Sequence, residues 1–235
     1  LKIKEYNNQQ IADYADKFGN RDYVADCIGK EYLVPLLGVW NDANDIPFEE
    51  LPDQYILKCT HGCGYNIIVD DKEIFDEKLA KKKLNKWLKE DFSLYNAEPQ
   101  YAYIKRRIIC EKHIGKDLMD FKFFCFNGKV VYYYISKDLL DNDNAQLIHC
   151  LRNGSVAPFQ RTSYEILKNY STSVDIETLI KNAEILARPF PFVRVDFMVS
   201  ENHAYFSELT FTPGGGYNRY NPEKYDDILG EILQI

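Results

Sequence analysis

Two short runs, Phe192-Val193-Arg194-Val195-Asp196-Phe197 and Phe206-Ser207-Glu208-Leu209-Thr210-Phe211, each carry one carboxylate among large apolar residues. Both read as strands, joined by the polar hairpin Ser200-Glu201-Asn202-His203. Paired antiparallel, they can set Asp196 and Glu208 on one sheet face. Two carboxylates brought together away from water repel and are poorly solvated, so they require a cation. An all-oxygen pair with room for water and phosphate suits Mg²⁺. Pro213-Gly214-Gly215-Gly216 follows, and glycine lets backbone approach a ligand closely. These residue types point to an enzyme handling a nucleotide phosphate. Read alone, the hairpin also fits a calcium site or a salt-bridged core.

Upstream, Lys58 sits in an apolar strand-like run that ends in His61-Gly62-Cys63-Gly64. The turn lacks the spacing and following helix of a Walker loop. A glycine-rich hairpin can still fold over phosphates through its N–H groups. Lys58 either escapes to solvent at a sheet edge or meets an anion. Arg107 to Glu111 reads as a strand leading into Lys112-His113-Ile114-Gly115. Such a connector can hydrogen-bond a purine edge with its backbone, although a simple strand end is the plainer reading. Asp120 and Lys122 alternate with Phe121 and Phe123 and share one strand face, most simply a surface face. Lys81-Lys82-Lys83 reads as a solvated helix face. The four histidines show no ligand spacing, and Cys59 and Cys63 have no second close pair to complete a zinc site.

The elements that must position these groups follow from periodicity. Residues 8–28 read as helix, 32–40 as an apolar run interrupted by Pro35, and 54–69 as a hairpin. A helix is expected from Asp70 or Asp71 to about Glu90, with Phe75, Leu79, Leu84, Trp87 and Leu88 on or near one face. Asn127-Gly128 marks a hairpin of 120–126 with 129–136. Residues 138–173 read as polar and irregular, with weak strand character at 147–151. Asp175 caps a helix to about Arg188, and Pro222 opens a last helix to about Leu233. This mixed order predicts an α+β fold on largely antiparallel sheets.

At 235 residues and 46% hydrophobic, the chain can bury a substantial core. A net charge of −7 argues against a general nucleic-acid binder. No apolar run reaches the roughly 20 residues of a membrane span. The start, Leu1-Lys2-Ile3-Lys4-Glu5, does not read as a signal peptide and lacks an initiator Met, which suggests a fragment. The six cysteines do not form a disulfide framework and suggest a reducing, cytoplasmic setting.

In order, Asp16-Lys17 with Arg21, Ile56-Leu57-Lys58 with its glycine turn, Ile108-Ile109-Cys110-Glu111, Arg194-Val195-Asp196-Phe197 and Glu208-Leu209-Thr210 with Pro213-Gly214 resemble the ATP-grasp superfamily. The stretches around residues 16–39, 51–66, 81–90, 120–129 and 190–216 look like its TupA-like group, associated with teichuronopeptide and bacterial surface-polysaccharide synthesis. The resemblance runs from about residue 13 to the end. It implies two α+β subdomains gripping ATP between them. Residues 1–53 would be an N-terminal helix and remnant of the preceding region, 54–112 the small subdomain and 113–235 the large one.

By the same resemblance, Lys58 and Arg21 contact ATP phosphate and Gly62, Cys63 and Gly64 form the covering loop. Glu111, Lys112, His113 and Ile114 form the adenine connector. Asp120 lies near the ribose, and Lys122 belongs to the same nucleotide site. Asp196 and Glu208 are magnesium ligands. Arg194 holds the γ-phosphate or acyl phosphate, and Gly214 and Gly215 face the acceptor. Many ATP-grasp ligases carry Asn two residues after the metal-binding Glu. Here Thr210 stands there, as in the TupA-like group, and its hydroxyl can still bond a metal or its water.

The expected activity is an ATP- and Mg²⁺-dependent carboxylate–amine ligation through an acyl phosphate. It would join an amino acid or amine to a sugar acid of a capsule or surface glycan. The alternatives are an ATP-grasp kinase acting on a small acceptor and a non-catalytic nucleotide-binding module of a glycan-assembly complex.

Overall fold

The computed structural model describes residues 5–95, 98–137, 145–161, 164–200 and 203–233. The chain ends, the expected hairpin tip Glu201-Asn202, and 138–144 and 162–163 of the expected irregular segment lie outside the described residues. Two compact units are present: Leu1–Asp22 with Val34–Ile114, and Tyr23–Leu33 with Gly115–Ile235. The expected 1–53 segment is thus shared between the units, and the later boundary falls after Ile114 instead of residue 112. Pairing explains the split. Residues 36–40 join the first unit's sheet, whereas Leu33 bridges to Phe206 in the second.

The first unit holds strands β1 (Leu36–Trp40), β2 (Tyr55–Cys59), β3 (Asn66–Val69) and β4 (Ile108–Lys112) in an antiparallel sheet of order β1-β4-β2-β3. Alternation along β2 buries Tyr55, Leu57 and Cys59 on one face and sends Lys58 to the other. The single helix expected over 8–28 is instead two, α1 (Gln9–Ala15) and α2 (Arg21–Ile28). The break is at Asp16. Its carboxylate accepts from Phe18 N and pairs with Arg107, so it serves the turn in place of the helix ladder. The helix expected from about residue 70 starts later, as α3 (Glu77–Trp87). Asp71 caps a short 3₁₀ turn, Lys72–Ile74, and only Asp76 caps α3. Leu79, expected inward, is 60% exposed, while Ala80 and Leu84 are buried.

The second unit holds β5 (Met119–Phe126), β6 (Lys129–Lys137), β7 (Gln146–Leu151), β8 (Glu165–Ile166), β9 (Phe192–Ser200) and β10 (His203–Thr210). Their order is β10-β9-β5-β6-β7-β8, antiparallel except for β7 with β8. The weak strand signal at 147–151 is thus a full strand of the sheet. Asn127 and Gly128, both at positive φ, turn β5 into β6. Helix α4 (Ile176–Ala187), capped by Asp175, packs on β9, β5 and β6. It buries Leu179, Ile180, Ala183 and Leu186 against the sheet face that carries Phe123, Cys125, Val195 and Phe197. The opposite face is half apolar, where Phe124, Tyr132 and Phe192 pack with Phe159 and Leu229. Leu229 belongs to the last helix, α5 (Lys224–Ile232). The other half of that face is charged. Among the described residues, no helix is long and apolar enough to cross a membrane.

Candidate functional site

The charged half-face is built by register. Phe206 pairs with Phe197, but the next aligned pair is Glu208 with Asp196, which leaves Ser207 as an extra residue in β10. In turn Asp196 pairs with Lys122, and Lys122 with Tyr134. Thr210 pairs with Arg194, and Arg194 with Phe124. Four strands therefore present Glu208, Asp196, Lys122 and Tyr134 as one row, with Thr210 and Arg194 in the row beside it.

Arg194 ties the rows together. Its Nε donates to Asp196 Oδ1 at 2.7 Å. One Nη donates to Asp196 Oδ2 at 2.6 Å, Glu208 Oε1 at 3.1 Å and Thr210 Oγ1 at 3.0 Å. Lys122 Nζ reaches Asp196 Oδ2 at 3.0 Å and lies 3.8 Å from Asp120. The Thr210 hydroxyl donates to Glu208 at 3.1 Å. Asp196 is fully buried, so these two cations offset the desolvation of its charge. Burial works against the Lys122 ammonium more than any other single influence, but Asp196, Tyr134 and Asp120 together outweigh it and hold Lys122 above the ordinary lysine range. Burial pushes the Asp120 carboxyl up, against the pull of Lys122. Asp120 and Lys122 are therefore part of this half-buried charge cluster and not a plain surface face.

Asp196, Glu208 and Thr210 form a hard oxygen set that fits Mg²⁺ with its other positions left to water and phosphate. Among the described residues, no three His, Cys, Asp or Glu side chains group to hold a metal ion by themselves. The cation that the paired carboxylates require is supplied in the chain by Arg194 and Lys122.

The first unit carries a second cluster. Lys58 Nζ donates to Glu111 Oε2 at 2.8 Å, and Arg21 donates to Glu111 Oε1 at 2.9 Å and to the Val34 carbonyl at 2.7 Å. Lys58 therefore meets an anion, and the anion is Glu111. The Glu111 backbone lies inside the ladder, opposite Leu36 and Ile56, so the connector proper begins beyond it. Lys112 is exposed and its N–H donates to the Pro35 carbonyl; His113 contacts Asp70 at 3.3 Å; Ile114 is half-buried. In the glycine turn, a side chain at Gly62 would collide with the Tyr65 ring, while Gly64 has φ 75°. Cys63 is exposed between them.

Gly214 and Gly215 have φ 56° and 63°, a backbone that glycine adopts without strain. A side chain on Gly214 would strike Asn218, whose Oδ1 accepts from Arg161 at 3.0 Å.

Two residues of consequence escaped the sequence reading. Lys17 Nζ donates to the Gly62 carbonyl at 2.6 Å, which puts a cation on the glycine turn. Its signal is the Asp16-Lys17 pair, which residue type alone does not connect to the glycine turn 45 positions on. Ser207, the bulge, left no signal in residue type.

The family described as TupA-like ATPgrasp matches residues 1–234. A search of curated proteins by sequence finds no match. Among solved structures, the D-alanine–D-alanine ligase of Bacillus anthracis superposes with TM-score 0.53 at 16% identity, over 94% of this chain and 64% of that one. The same enzyme complexed with ATP gives 0.54 at 14%, over 95% and 66%. The L-amino acid ligase of Bacillus licheniformis gives 0.53 at 12%, over 88% and 45%. This chain thus spans less than two thirds of each. At such identities the likeness shows the fold, which is the ATP-grasp fold with its antiparallel sheets. With the family match over nearly its whole length, the chain belongs to the TupA-like ATP-grasp family.

Proposed function

We propose that the protein is an ATP-dependent carboxylate–amine ligase. The observation that carries this reading is the facing pair Asp196 and Glu208, with Thr210 beside it and Arg194 bonded to all three. A buried, oxygen-rich pair held by a guanidinium suits a polyphosphate and its metal better than a purely structural bridge, because the Thr210 hydroxyl adds a third oxygen donor. Asp196, Glu208 and Thr210 would hold Mg²⁺, which when bound neutralises phosphate charge. Lys58 and Lys17, with the Gly62-Cys63-Gly64 turn, would hold the phosphates. Lys112, His113 and Ile114 would meet the adenine, and Asp120 the ribose.

In the first step a substrate carboxylate oxygen attacks the γ-phosphorus of ATP and the bond to the ADP oxygen breaks, leaving an acyl phosphate and ADP. Arg194 and Lys122 offset the charge that gathers on the phosphoryl oxygens, so the contribution of these residues is positioning and electrostatics. An amine then attacks the acyl carbon, inorganic phosphate leaves, and the amine loses a proton to give the amide. Gly214 and Gly215 would let that acceptor approach the backbone. The family resemblance favours a sugar acid of a surface glycan joined to an amino acid or amine, in the cytoplasm.

The test is ADP release with hydroxylamine present. A hydroxamate forms from an acyl phosphate, and Asp196→Asn abolishes both products. A stable phosphorylated acceptor with no hydroxamate would make the protein a kinase instead.

A further inference from the structure

The Glu111 carboxylate holds two cations at once, one on each oxygen. Arg21 takes Oε1 and Lys58 takes Oε2, and the side chains of all three are at most 15% exposed. Arg21 is committed further, since its other Nη donates to the Val34 carbonyl. Lys58 has three ammonium protons and its one hydrogen bond in the cluster goes to Glu111. Without the carboxylate, Lys58 and Arg21 would be like charges around one small, poorly solvated space, and their repulsion would drive them apart.

We infer that Glu111 and Arg21 are positioning residues, which fix the Lys58 ammonium for a nucleotide phosphate through the chain Val34 carbonyl, Arg21, Glu111, Lys58. This rests on the ligase reading, in which Lys58 contacts phosphate. It moves Arg21 from phosphate contact to support. It also gives the Glu111 side chain a task distinct from that of the connector backbone after it. A carboxylate beside a phosphate site would otherwise oppose the ligand. Here its charge is already matched by two cations, so the cluster keeps a net positive charge with Lys58 held in place.

Calorimetric titration with MgATP tests this on the wild type, Glu111→Gln, Lys58→Met and the double variant. Glu111→Gln weakens binding about tenfold, and in the Lys58→Met background the same change has less than about a twofold effect, because the two act as one unit. Arg21→Met repeats this pattern, and Arg21→Lys recovers part of the loss. Tighter or unchanged binding by Glu111→Gln would show that the carboxylate competes with phosphate or does nothing, and would overturn the inference. So would a full Glu111→Gln effect persisting without Lys58. If Glu111→Gln does not fold, as judged by its melting curve, Arg21→Met with and without Lys58→Met makes the same comparison. Failure of the wild type to bind MgATP sinks the ligase reading itself and this inference with it.

Discussion

Glu208 lies opposite Asp196 because Ser207 is an extra residue in β10. The strands leave the hairpin with His203 opposite Ser200 and stay in that register to Phe206 opposite Phe197. Continued without a bulge, that register would set Ser207 against Asp196. Glu208 would then turn to the face covered by α4, because side chains alternate along a strand. The bulge moves a carboxylate from an apolar layer to the charged row.

Deleting Ser207 removes the extra residue, so Glu208 follows Phe206 directly and pairs with Asp196 in a regular ladder, still in the charged row. MgATP-dependent ADP release should therefore be largely retained by the deletion. Ser207→Ala keeps the bulge and should also retain most of the activity. Loss of ADP release in the deletion but not in the alanine variant would show that the bulge itself, and not the pairing of Glu208 with Asp196, sets the site.

Arg194 offers a second test, since its guanidinium meets Asp196, Glu208 and Thr210 together. Arg194→Met leaves the fully buried Asp196 with Lys122 as its remaining cation. Breaking a buried pair in this way costs on the order of 3–5 kcal/mol. Arg194→Lys keeps the charge but not the planar fork, so it should restore little. Denaturant unfolding of both variants checks this; near wild-type stability of Arg194→Lys would show that charge alone suffices.

Much of the scaffold was legible because its signals are local. The alternation in β2 and β3, the Asn127-Gly128 turn and the period of α4 each need only neighbouring residues to be read. What was not legible depended on distant partners. Lys58 posed a choice between solvent and an anion, and the answer is Glu111, 53 positions away. Asp16 breaks a helix because Arg107 waits for it, 91 positions away. Asp120 and Lys122 read as a surface face because nothing in their own strand shows that β9 sets Asp196 beside them. The Ser207 bulge is a matter of parity between two strands, which composition does not carry.

The glycine turn can be probed through its thiol. Cys63 is exposed, whereas Cys59 and Cys110 are buried and burial raises both thiols to about 12. Limiting maleimide should modify Cys63 well before Cys59 or Cys110. MgATP should slow that reaction if the turn covers phosphate, and Cys63→Ser should bind ATP yet resist inactivation. Lys17→Met removes the cation that holds the Gly62 carbonyl and should weaken MgATP binding about tenfold or more. Peptide mapping and calorimetry read the two effects; labelling of Cys63 at the same rate with and without MgATP would exclude the turn from the nucleotide site.

His149 sets an acid limit on the second unit. The ring is fully buried against Tyr132, Tyr134, Phe159 and Tyr220, and its Nδ1 lies 3.0 Å from Gln160 Oε1. Burial lowers its pKa from 6.5 to about 4, a change that the Gln160 bond opposes and the Arg161 charge assists. The folded state therefore holds the ring neutral where the unfolded chain would protonate it. Its contribution is present in full above about pH 6.5 and is lost as pH falls toward 4, which amounts to ~3 kcal/mol. His149→Phe removes the titrating group from an aromatic box that can accept the ring. Its urea midpoint should vary less than the wild type's between pH 6.5 and 4, with the larger gain at the acid end. Parallel midpoint curves for the two proteins across that window would show that His149 does not set the limit.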